Sequence, residues 1–72
     1  MYNTNIASMI KVQQLGLFMR LRGLHASEVG KLFKKHGVLD YIDDAYEFLH
    51  IQGAYATYED ISAYISQQEA LQ

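Results

Sequence analysis

The sequence predicts an all-α fold, a compact bundle of about four helices. Apolar residues recur at helical spacing along most of its 72 residues. There are five glycines and no proline, and Gly23, Gly37 and Gly53 fall where that spacing breaks, so they read as helix ends. Half of the residues are hydrophobic, too apolar for a disordered chain and suited to one small globular domain, residues 1–72.

The first helix is expected over residues 5–22, with Asn3, Thr4 and Asn5 as candidate N-caps. Ile6, Met9, Ile10, Gln13, Leu17 and Leu21 follow helical spacing. Val12, Leu15, Phe18 and Met19 widen the apolar arc beyond one stripe, so this helix is either central or presents a second apolar face to a partner. The second helix is expected over residues 26–36. His25 and Glu28 have capping-box spacing, and Val29, Leu32, Phe33 and His36 form its inward stripe. Gly16 and Gly30 lie inside helical patterns, where each costs about 1 kcal/mol relative to alanine. Close approach of another helix would account for them.

The third helix is expected over residues 39–51. Val38, Tyr41, Ile42, Ala45, Tyr46 and Leu49 share one face, and Asp40, Asp43, Asp44 and Glu47 fill the other. Residues 54–56 read as an extended connection. Thr57 and Asp60 then form a second capping box, opening a fourth helix over residues 58–68 whose buried face is Ile61, Tyr64 and Ile65. Residues 67–72 are expected to fray.

So small a chain has little core to offset its conformational entropy. It has no cysteine to form a disulfide, and its three histidines are scattered. Tight helix packing or self-association remains. The polar N-terminus and the absence of a long apolar run point to a cytoplasmic protein. Net charge is −2, unevenly spread. Residues 1–36 hold six positive charges against one negative, a net of +5, while residues 37–72 hold seven acids and no Lys or Arg, a net of −7. Such a dipole either solvates helix faces or steers a partner, a second copy included.

Chemistry-bearing constellations are sparse. His50 follows Tyr46 and Glu47 on one helix, a spacing that permits acid–base work, but a histidine at a helix C-terminus also serves structure or binding. No nucleophile motif, phosphate loop or metal-ligand spacing occurs, so no catalytic residue, cofactor or metal is expected. The glycine turn between the second and third helices resembles a helix-turn-helix, which makes a small nucleic-acid-binding regulator the alternative reading. Its contacts would be Arg20, Arg22, Lys31, Lys34 and Lys35. The acids of the third helix would repel phosphates. Six tyrosines, five in the C-terminal half, suit an interface, and Tyr55 and Tyr58 are expected to be exposed.

The stretch Leu32-Phe33-Lys34-Lys35-His36-Gly37-Val38-Leu39-Asp40-Tyr41-Ile42 resembles the core of a short bacterial family of unknown function. Tyr46-Glu47-Phe48-Leu49-His50 and Glu59-Asp60-Ile61 continue that pattern, and the resemblance covers about residues 6–66. His36 stands where the family has tyrosine or phenylalanine. The resemblance implies no activity. It does imply a neighbour, because family members are often encoded beside ADP-ribosyltransferase-like proteins, in the manner of a toxin with its antitoxin or an effector with an accessory subunit.

The expectation is therefore a non-catalytic protein–protein interaction module with a protein partner, possible homo-oligomerisation, no membrane and no cofactor. Its candidate partner-binding residues are Val12, Leu15, Phe18, Met19, Tyr55, Tyr58 and His50.

Overall fold

A computed structural model describes residues 4–71. The candidate N-cap Asn3, Tyr2 and the terminal Gln72 lie outside the described residues. Four helices follow one another with minimal connections: α1 (Thr4–Arg22), α2 (Ala26–His36), α3 (Val38–Gln52) and α4 (Ala54–Ala70). The fold is the all-α four-helix bundle that the apolar spacing predicts, and no strand occurs among the described residues.

Glycine geometry sets the three turns. Gly23 adopts φ 64°, and the Leu24 N–H donates to the Met19 carbonyl at 3.1 Å, so the two half-buried side chains Leu24 and Met19 close the end of α1. Gly37 adopts φ 65° and donates its N–H back to the carbonyls of Phe33 and Lys34. Its own carbonyl accepts from the Tyr41 N–H at 3.1 Å, so one residue ends α2 and starts α3. At the start of α2 the His25 N–H donates to Glu28 Oε1 at 2.9 Å, the backward half of a capping box.

α1 packs against each of the other three helices and most extensively against α3. Its buried residues are Ala7, Ile10, Gln14, Leu17 and Phe18, whereas Met9, Gln13 and Leu21 of the expected stripe face solvent. The buried amide explains the shift. Gln14 Nε2 donates to the Ala54 carbonyl at 3.0 Å, tying α1 to the head of α4. Val29, Phe33 and His36 from α2 complete the core with Val38, Ile42, Tyr46 and Leu49 from α3 and Ile61 and Ile65 from α4. His36 Nδ1 lies 3.0 Å from Gln68 Oε1, which holds the end of α2 to α4.

Several expectations about local structure are overturned. Residues 67–70, expected to fray, are helical, because α4 runs to Ala70. Residues 54–56 are helical rather than extended: α4 starts at Ala54, and the Thr57 N–H closes its first turn on the Gly53 carbonyl at 3.0 Å. Thr57 is therefore inside the helix and buried, donating its hydroxyl to the Leu49 carbonyl at 3.1 Å. Asp60 accepts from Gln52 Nε2 at 2.8 Å and takes no part in a cap. Gly16 and Gly30 do not admit a neighbouring helix of this chain. A Cβ at Gly16 would meet only the Arg20 guanidinium at 3.7 Å, and one at Gly30 would meet nothing within 4 Å.

Tyr41 and Tyr64 stack between α3 and α4, with centroids 5.1 Å apart and planes 11° apart. Burial first, then the charges of Asp60 and Tyr64, raise the Tyr41 pKa above its ordinary 10.0. The folded state thus holds the phenol proton more tightly than the unfolded chain. The resulting stabilisation is complete below pH 10 and is lost as pH rises through the folded pKa. Urea midpoints should therefore fall between about pH 8 and about pH 11 by more in the native chain than in Tyr41→Phe. Equal falls would remove Tyr41 as a cause.

Candidate protein-docking surface

The seven residues expected to meet a partner separate into three groups. Val12 (69% exposed) and Tyr55 (64% exposed) are open to solvent, and His50 is exposed too. Leu15 and Met19 are half-buried against the core. Phe18 and Tyr58 are corrections. Phe18 is fully buried, edge-on to Phe33 at 5.0 Å and tilted against Tyr58 at 4.6 Å. Tyr58 is half-buried because its ring covers Phe18. A helix with an over-wide apolar arc is here a central helix along this part of its length, so its Phe18 side serves the core.

The basic residues divide as well. Arg22 lies over the Phe18 ring at 4.7 Å and donates to the Ser62 hydroxyl at 3.0 Å and the Tyr58 hydroxyl at 3.3 Å. Its guanidinium is exposed and fastens α1 to α4. Arg20, Lys31, Lys34 and Lys35 are exposed. The acid–base cluster is also pulled apart, since Tyr46 is buried in the core while Glu47 and His50 face outward. Among the described residues no three of His, Asp and Glu converge as a group able to hold a metal ion, and no helix is long and apolar enough to cross a membrane.

Among the described residues several apolar surfaces remain uncovered, and two of them have charged side chains beside them. The first is a groove where α1, α2 and α3 meet, lined by Val12, Leu15, Gly30, Phe33 and Leu39, with a volume of about 300 Å³. Its floor continues toward Lys34, Gly37 and Asp40. The Lys11–Asp43 ion pair, at 2.6 Å, bridges α1 to α3 beside it. Beyond that pair the α1–α3 seam opens again, with Met9 and His50 along a second depression. α1 and α3 therefore run past each other in opposite directions.

The second surface is the outer side of α3. Ile51 is 84% exposed and Phe48 61%, one turn apart on the same helix face. Asp44 and Glu47 are exposed on that face, and Tyr55 and Glu59 are exposed at the start of α4. No Lys or Arg occurs after residue 36 to neutralise them. Neither Phe48 nor Ile51 was singled out from sequence. The signal was present, because both fall outside the inward stripe of Ile42, Tyr46 and Leu49.

A family model described as a protein of unknown function (DUF3791) matches residues 17–68. The chain belongs to this family. No curated protein and no solved structure matches it. The matched span takes in α2, α3 and most of α4, so Gly30, Lys34, Asp40, Phe48 and Ile51 lie within the part shared with the family, and Met9 and Val12 lie before it.

Proposed function

We propose that this chain is a non-catalytic protein–protein interaction module, an antitoxin-like protein or accessory subunit whose partner is an ADP-ribosyltransferase-like protein. The observation that supports docking is the exposure of Phe48 and Ile51 amid acids. Large apolar side chains grouped on one exposed helix face favour being covered, each by roughly 1.5–3 kcal/mol. The acids around them select a cationic surface and speed the encounter. The choice of partner rests on the family resemblance of the Leu32–Ile42 and Tyr46–His50 stretches.

Titration calorimetry of the chain with an ADP-ribosyltransferase-like protein from the same organism tests the reading. Association at micromolar concentration, weakening as salt is raised, is the expected result. Ile51→Asp should weaken it at least about thirtyfold, the size of an interface hot spot. Ile51 is so exposed that the substitution should leave the fold unchanged by circular dichroism. No association at micromolar concentration would exclude this partner, and an unaltered Ile51→Asp affinity would exclude this face.

A further inference from the structure

The α1–α2–α3 groove lies apart from the outer face of α3, and its chemistry is of a different kind. Its floor is apolar, made by Leu15, Phe33 and the exposed Val12 and Leu39. Besides the Lys11–Asp43 ion pair at its edge, its banks carry one further charge of each sign. Lys34 stands on the α2 side and Asp40 on the α3 side of the same depression. Both are exposed, and among the described residues neither belongs to an ion pair. Between them α2 exposes bare backbone at Gly30, with nothing within 4 Å of where a Cβ would stand.

We propose that this groove is a homodimer interface, in which a second copy of the chain docks through the same groove about a two-fold axis. A patch that meets itself must be self-complementary, residue i meeting residue j while j meets i. A positive bank and a negative bank across one apolar floor satisfy that condition, with Lys34 of each copy meeting the partner copy's Asp40. A purely basic or purely acidic groove would repel itself. The glycine fits the same arrangement. Gly30 weakens α2 and nothing in its own chain presses on it, so the close backbone approach it permits is to the other copy. Domains this small commonly gain the burial they lack by association.

Charge reversal gives a test that a generic sticky patch would fail. Sedimentation equilibrium of the native chain should show a monomer–dimer equilibrium and no higher species. Lys34→Asp places two negative charges opposite each other at both ends of the interface, and Asp40→Lys places two positive ones. Each single variant should dimerise at least about tenfold more weakly than the native chain. An equimolar mixture of the two should recover 1:1 dimers, and the double variant Lys34→Asp/Asp40→Lys should dimerise by itself. Both positions are exposed, so circular dichroism should find the helix content unchanged in every variant. Ile51→Asp should dimerise as the native chain does, which separates this interface from the heterologous one proposed above. A native chain that stays monomeric to millimolar concentration overturns the proposal. So do open-ended oligomers, or a mixture of the single variants that stays monomeric.

Discussion

Phe18→Ala is expected to remove about 3–5 kcal/mol of folding stability. A 72-residue domain has roughly 4–10 kcal/mol in all, so the variant should sit near its unfolding threshold at room temperature. Three losses add. The ring is fully buried, so its removal leaves a cavity among α1, α2 and α4. The edge-on contact with Phe33 and the tilted contact with Tyr58 disappear with it. The Arg22 guanidinium, 4.7 Å above the ring, loses the face it rests on, although it keeps its bonds to Ser62 and Tyr58. Urea denaturation should show a much lower midpoint with an unchanged slope. Val12→Ala, on the exposed side of the same helix, should change stability by less than about 0.5 kcal/mol. A cost below about 1 kcal/mol for Phe18→Ala would mean that the ring is a surface group after all.

Phe18 also marks the boundary of what sequence could reveal. Periodicity identifies α1 as unusually apolar, but several overlapping stripes satisfy helical spacing. Only the neighbours decide which stripe is buried. Gln14 decides it here, because a fully buried amide that bonds the Ala54 carbonyl rotates α1 so that Ala7, Ile10 and Leu17 face inward and Met9 faces out. A glutamine in an apolar run reads as a surface residue, and its bond reaches across 40 positions. The same difficulty displaced the start of α4. Thr57 and Asp60 have the spacing of a cap, yet Thr57 bonds back to Leu49 and Asp60 to Gln52. Elements whose signals are local were legible. The inward stripes of α2 and α3 and the ends at Gly23, Gly37 and Gly53 need only one helix and one turn to be recognised. The outer face of α3 was half legible, since its acids were evident and its exposed Phe48 and Ile51 were not.

Gly53→Val is expected to destabilise the fold by about 2–3 kcal/mol through the backbone alone. Gly53 adopts φ 92° and ψ 173°, a region essentially confined to glycine. Nothing lies within 4 Å of a Cβ built there, so steric crowding by neighbours contributes nothing. Relaxing φ to a negative value would swing the head of α4 away from α3 and α1. That motion would strain three bonds at once: Gln14 to the Ala54 carbonyl, Thr57 to the Leu49 carbonyl and Gln52 to Asp60. The chain must therefore hold valine in a forbidden conformation or give up the joint between its halves. Gly30→Ala makes the informative contrast, because it too adds a Cβ to open space but does so inside a regular helix. At concentrations where the chain is monomeric it should raise stability by up to about 1 kcal/mol. Chemical denaturation of the two variants side by side should give shifts of opposite sign. Shifts of the same sign would mean that the dihedral at Gly53 is not what sets the α3–α4 joint.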